Sequence, residues 1–387
     1  MTTKSTAQKP KQTQALKQKT CYIFQGGGAL GAYQMGAYEA LKSFGYLPDM
    51  IVGISIGAIN ASIIAGNEPG NRQAKLREFW DRITTAVPVP LDAFGIPKIH
   101  NWFGAQNALL NGQPGFFKPK IFPPGNILKH EPNELGYYDT SPLRETLLDL
   151  IDFKYLNEGH VRLCLGSVEL SSGDFKFFDS HEQEIGPEHI MASGALPPGF
   201  PPVKIGGKYY IDGGVFSNSP VFKVIDEFVE KPEDIRRVLC FMVDVFSAKG
   251  PYPHSMDGMA ERVKDIQYSS RSKRATSLYA TSDNLSSAIH FLTKKLTPEQ
   301  RKDPKVQDIM KLGYSHQIDL VHLVYHSPTG TELGSKDYNF SKSACEMHRE
   351  MGYNNTKELY EQNHEYWDKK HKAGLTIYTL DGDIEVD

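Results

Sequence analysis

Between Cys21 and Ala65 the chain alternates twice between a short apolar run and a run of helical spacing, and no other feature limits its fold as strongly. The run CYIF (21–24) reads as a short buried strand. Leu30, Tyr33, Ala37, Leu41 and Phe44 then recur at spacings of three and four, which predicts a helix from Ala29 to Phe44, with Gly45 ending it. Met50 to Ile54 is a second apolar run. Ile56 to Ala65, crowded with Ile59, Ile63 and Ile64, is a helix buried on several sides. Strand, helix, strand, helix at this spacing implies an α/β fold whose parallel sheet is covered on both faces. Further strands are expected at 161–168, 174–178, 208–211, 238–245 and 320–325.

The first strand runs into QGGGALGAYQMG, in which Gly26, Gly28 and Gly31 satisfy a dinucleotide-binding pattern. That reading needs an acid at the carboxyl end of the second strand to hold ribose. Asp49 precedes that strand, and Ser55 stands at its far end. Ser55 lies in Gly53-Ile54-Ser55-Ile56-Gly57, a G-x-S-x-G between a predicted strand and a predicted helix, the setting in which this pattern projects a nucleophile from a sharp turn. The bland alternative is a small-residue turn that packs helix on strand. Parallel strands joined by a helix open their carboxyl ends onto one crevice, which brings Gly26, Gly27 and Gly28 near Ser55. Their amides, free of Cβ atoms, suit an oxyanion hole.

A serine nucleophile needs a base. His316, His322 and His326 flank or occupy the strand near Leu320, but no supporting signature accompanies them. The other candidate is Asp212 in KYYIDGGVFSNSP, a carboxylate at a strand end followed by Gly213 and Gly214. Taken alone, Asp-Gly-Gly is an ordinary turn. Asn218 reads as a turn residue, with a supporting hydrogen bond near Asp212 as the sharper alternative.

Together these blocks resemble the patatin-like phospholipase family: GGGALG (26–31), GISIG (53–57), ASGALPPGFPPV (192–203) and DGG (212–214), in that order over roughly residues 20–245. The resemblance implies a three-layer α/β/α sandwich with a mostly parallel central sheet, plus a C-terminal helical or mixed extension. It maps a Ser–Asp dyad onto Ser55 and Asp212 and the oxyanion loop onto Gly26, Gly27 and Gly28. Gly31, Gly53, Gly57, Gly213 and Gly214 support the motifs. Leu30 stands where family members often carry Lys or Arg, which removes a cation but no backbone donor. The segment from about Pro251 resembles the extra tail of a bacterial subset of the family. The implied activity is hydrolysis of fatty-acyl esters of lipids and phospholipids, with a lipid as partner and no metal or organic cofactor called for. Two alternatives stay open: a Ser–His–Asp esterase using a late histidine, and a non-catalytic lipid-binding module. Because an ordinary Asp is a weak base for a serine hydroxyl, Asp212 is expected in a partly desolvated site that raises its basicity.

Three units are expected: a basic tail (1–19), a catalytic domain (20–250) and a C-terminal extension packing on it (251–387). Among the first twenty residues there are five lysines and no acid, and no apolar core of a secretory signal. A solvated tail is the plainer reading, and a basic arm on anionic lipid the sharper one. The formal net charge of −3 gives no general attraction to nucleic acid. Four widely spaced cysteines form no C-x-x-C pair, which suits a reducing cytoplasm; peripheral contact at the inner membrane face is the alternative that a lipid substrate and the basic arm leave open. From 88 to 138 proline, glycine and aromatics dominate without clear periodicity. That stretch is either a lid or interfacial patch carrying Trp102 and Phe103, or a loop that buries its own aromatics. PPGFPPV reads as a rigid connector. The basic cluster RSKR (271–274) reads as a solvated face, and Met347, Met351, Leu359 and Trp367 as a stripe packing on the catalytic domain.

Overall fold

A computed structural model describes residues 18–86, 97–122, 124, 129–230, 237–313, 317–328, 332–367 and 374–379. Residues 1–17 of the expected tail (1–19), Phe94, Pro123 and His316 lie outside these residues, and the tail's last two positions, Gln18 and Lys19, begin the first strand.

The chain opens with β1 (Gln18–Phe24), α1 (Gly31–Ser43), β2 (Met50–Gly53) and α2 (Ile56–Ala65), close to the expected bounds. Next come α3 (Arg72–Ile83), α4 (Pro97–Asn111), a small hairpin of β3 (Lys118–Pro119) and β4 (Tyr138–Asp139), α5 (Ser141–Leu150) and α6 (Phe153–Asn157). The middle of the chain gives β5 (Arg162–Glu169), β6 (Phe175–Asp179), α7 (Pro187–Ser193), β7 (Val203–Ile205), β8 (Lys208–Asp212), α8 (Val221–Glu230) and β9 (Arg237–Asp244). The last third adds α9 (Met256–Lys295), α10 (Pro304–Lys311), β10 (Gln317–Val324), α11 (Lys342–Trp367) and β11 (Gly374–Thr379).

Nine strands form one sheet in the order β11-β10-β9-β1-β2-β5-β8-β7, with β6 paired to β5. From β11 to β5 all neighbours on this path are parallel, whereas β6 and β8 run antiparallel to β5. Side chains alternate across a strand, so the two faces are built from interleaved residues. Tyr22, Phe24, Ile51, Leu163 and Phe241 join one core with residues of α1, α2, α3, α5 and α11. Cys21, Ile23, Met50, Val52, Cys164, Cys240 and Met242 join a second core with Val221, Val224 and Ile225 of α8 and Ala280 of α9. Helices on both faces make this the three-layer α/β/α sandwich. Burial on both faces is also why the central strands read as near-continuous apolar runs.

The boundary expected near residue 250 falls between β9 and its partner β10. Residues beyond 250 thus supply two strands of the same sheet, β10 and β11, as well as helices packed on it. On α11, Leu359 and Trp367 are fully buried, and Trp367 packs edge-on against Phe241 of β9 at 5.6 Å between ring centres. All four cysteines are unbonded and buried; Cys21 and Cys240 are register partners on β1 and β9. The 88–138 stretch holds the helix α4, which proline and glycine flanks hid from periodicity. Its aromatics divide: Phe116 and Phe117 are buried, while Trp102, Phe103 and Phe122 are exposed. No described helix is long and apolar enough to cross a membrane.

Candidate active site

Ser55 sits between β2 and α2 with φ 54°, and no other described non-glycine residue has a positive φ. A side chain rarely holds this conformation, which costs on the order of 1–3 kcal/mol. Its backbone N–H anchors the turn by donating to the carbonyl of Ser193 at 3.1 Å and to its hydroxyl at 3.2 Å. The Ser193 hydroxyl in turn donates to the Gly166 carbonyl at 2.7 Å. A Cβ on Gly57 would collide with the carbonyl of Phe24, and one on Gly53 with the first turn of α2. Those glycines let helix and strand close on each other, as the G-x-S-x-G pattern requires.

Asp212 ends β8, which pairs with the far end of β5 (Ser167–Glu169) along the same edge on which β2 pairs with its start (Arg162–Leu165), since β6 takes the other edge. Strands β2 and β8 thus follow one another along one edge of β5, which brings the end of β8 next to the turn after β2. Just past Asp212, Gly213 packs on the Gly166 carbonyl of β5, and a Cβ on it would lie 2.5 Å from that oxygen. The carboxyl is 2% exposed. Its Oδ1 accepts the Gly214 N–H at 2.7 Å. Burial pushes its pKa up to about 6, with the Ser55 hydroxyl and the Gly214 amide pulling in the opposite direction by hydrogen bonding to it. Oδ2, also buried, has no hydrogen-bond partner among the described residues.

The glycine loop lies against the serine: a Cβ on Gly26 would stand 2.9 Å from the Ser55 Cβ. Its three amides are not equivalent. Gly26 donates its N–H to Asn218 Oδ1 at 3.1 Å, and Asn218 Nδ2 donates back to the Gly26 carbonyl at 3.0 Å. The N–H groups of Gly27 and Gly28, at the start of a short 3-10 turn (Gly28–Leu30), donate to no described residue. Asn218 thus clamps the first glycine and leaves the next two as donors. Nothing local in the sequence reports this pairing, since 192 positions separate the partners. Gly31 opens α1 beside Ile56 and Trp80.

Ser55, Asp212 and the glycine loop share a cavity of about 160 Å³ whose remaining walls are mostly apolar. Phe116, Phe117, Tyr138 and Phe200 form one wall. Leu196 to Phe200 also line it, so the PPGFPPV tract is part of the wall as well as a connector; its Pro197–Pro198 bond is cis. No described histidine lines the cavity. His322 points its Nε2 at Asp244 Oδ2, 3.0 Å away, and Asp244 Oδ1 accepts the Ser219 hydroxyl at 2.6 Å. No described group of three or more His, Cys, Asp or Glu side chains is arranged to hold a metal ion.

A family model described as patatin-like phospholipase matches residues 22–225, and a second, described as patatin phospholipase, matches residues 266–373. The chain belongs to the patatin-like phospholipase family. Among solved structures it is similar to VipD from Legionella pneumophila, at 15% identity and TM-score 0.38, over 89% of this chain and 67% of that one. It is also similar to ExoU from the type III secretion system of Pseudomonas aeruginosa, solved in complex with SpcU, at 16% identity and TM-score 0.29. That second match covers 64% of this chain and 49% of the other. No curated protein matches the chain.

Proposed function

We propose that the protein is a serine acyl hydrolase that cleaves fatty-acyl esters of lipids, with Ser55 as nucleophile, Asp212 as base and the Gly27 and Gly28 amides as oxyanion donors. The observation that carries this reading is a buried carboxyl, raised to about 6, acting on a serine that is held at positive φ beside two uncommitted backbone donors. Family membership supports the lipid as substrate.

In the first step the Ser55 Oγ attacks the ester carbonyl and its proton passes to Asp212. Negative charge gathers on the carbonyl oxygen, where the glycine amides meet it. The tetrahedral centre collapses, the C–O bond of the ester breaks, and the leaving alcohol takes the proton from Asp212. Water then repeats the sequence, giving its proton to Asp212 and its oxygen to the acyl carbon, and Ser55 is released with the fatty acid. A raised pKa matters because a base near neutrality holds a proton more readily and still ionises at working pH.

The test is product analysis after incubating wild-type and Ser55→Ala protein with defined phospholipids, lysophospholipids and neutral glycerides. The wild type should release fatty acid and the alanine variant none, with unchanged circular dichroism. Equal release by both proteins would remove Ser55 from the chemistry. A lipid-binding module without turnover would bind these lipids and leave Ser55 unlabelled by a fluorophosphonate.

A further inference from the structure

The C-terminal third reaches the cavity. Tyr268 of α9 stacks on Phe246 at 4.8 Å between ring centres, and both line the cavity beside the glycine loop. Asp337, Tyr338 and Phe340, from the strap between β10 and α11, line it too. Phe340 lies 5.7 Å from Phe116, so it completes the aromatic wall begun by the middle of the chain. The Asp337 carbonyl presses so closely on Gly28 that a Cβ there could not be accommodated; Gly28 has φ 54°.

The strap is fastened to α9 by two lysines. Lys264 Nζ donates to Asp337 Oδ1 at 2.7 Å and to the Gly334 carbonyl at 2.9 Å, and it stands 4.9 Å from the centre of the Tyr338 ring. Lys336, itself buried, donates to Glu261 and Asp265 at 3.1 Å each and to Ser327 at 2.8 Å. Buried charges that are fully paired hold one geometry, because breaking any pair leaves a charge stranded away from water. The other end is set by backbone pairing: the Thr85 N–H donates to the Phe340 carbonyl and the Lys342 N–H to the Thr85 carbonyl. Partial burial, with Asp337, Tyr268 and Tyr138 nearby, keeps the Tyr338 pKa above that of a free tyrosine, although the residue is still 38% exposed. Tyr338 and Tyr138 both line the cavity, one from the C-terminal strap and the other from the middle of the chain.

We propose that the C-terminal region builds the acyl-chain wall of the site, with Tyr338 as a specificity-determining residue and Lys264 and Lys336 as positioning residues that hold the strap carrying it. This rests on the hydrolase reading for its substrate and adds which residues grip the acyl chain. A short acyl group meets the serine and the glycine loop alone, whereas a long one runs on to Tyr338.

The experiment compares kcat/KM for p-nitrophenyl butanoate and dodecanoate in the full-length wild type, Tyr338→Ala, Tyr338→Phe and Lys264→Met. Losing one aromatic contact should lower the dodecanoate-to-butanoate ratio roughly tenfold in Tyr338→Ala. Tyr338→Phe, which keeps the ring, should restore the wild-type ratio, and Lys264→Met should lower it less than Tyr338→Ala does. A ratio that stays the same in Tyr338→Ala, whether both esters slow together or neither does, would overturn the proposal. Binding of the fluorescent fatty acid cis-parinaric acid is measured on the same proteins. Should the wild type cleave neither ester and take no fluorophosphonate label, the hydrolase reading fails by itself. The wall is then judged on that binding: weaker binding by Tyr338→Ala upholds it, and equal binding overturns it.

Discussion

At Asp212 one property does two jobs with opposite signs. Its pKa of about 6 lies above the ordinary 3.8, so between those values the folded chain keeps a proton that the unfolded chain has released. Stability therefore falls as pH rises through that window, by about 3 kcal/mol for a shift of roughly two units. Under the proposed mechanism activity moves the other way, since only the ionised carboxylate can accept the serine proton. kcat/KM should climb about tenfold per pH unit below pH ~6 and level off above it. Asp212→Asn should lose turnover and gain roughly 2–3 kcal/mol in urea unfolding at pH 7, with the gain vanishing at pH ~4. An active Asn variant, or one no more stable at pH 7, would contradict this account. Ser55 stands out in the sequence as a candidate because its G-x-S-x-G lies between a strand and a helix, whereas Asp212, in a turn that is ordinary by itself, stands out through the resemblance. The inequality of the three glycine amides is not legible, because the Asn218 side chain that creates it stands 192 positions along the chain from Gly26.

Among the elements, the opening β1-α1-β2-α2 is legible because each piece carries its own periodicity or apolar run. Helix α4 is hidden among prolines and aromatics. Strand β7 has three residues, and β3 and β4 have two each, too few to show a period. The polar run from Ser341 reads as helical, but its closeness to α1 does not: Gly36 of α1 faces the Arg349 carbonyl of α11, and Gly352 of α11 faces the Tyr33 carbonyl of α1. At both points any side chain would strike backbone, which cannot move aside. The approach is bolstered by Glu39, buried on α1, which takes Arg77 of α3 at 2.6 Å and Arg349 of α11 at 2.9 Å. Gly352→Val should accordingly cost about 3 kcal/mol in urea unfolding. The neighbouring exposed change Asn354→Val should cost no more than about 0.5 kcal/mol. Similar losses in the two variants would mean that the helices have room to part.

On the scale of the whole molecule, the motifs end near residue 214 but the sheet does not. Strand β9 is central, with β1 on one side and β10 on the other, and β10 is itself covered by β11. Without the C-terminal third, β9 would be an exposed apolar edge, the arrangement most prone to pairing with other chains. This dependence was not legible in the sequence, because strand order is set by contacts between residues that are far apart along the chain.

The unbonded cysteines in the interior give this architecture a built-in reporter. Burial raises the pKa of Cys21, Cys164, Cys240 and Cys345, so none offers a ready thiolate to a reagent in bulk water. Three of them, Cys21, Cys164 and Cys240, lie in a single core beneath α8 and α9. A maleimide added to the native protein should find nothing to alkylate, while in concentrated urea mass spectrometry should count four adducts per chain. At intermediate urea the labelling rate clocks how often that side of the sheet breathes open, with no engineered probe.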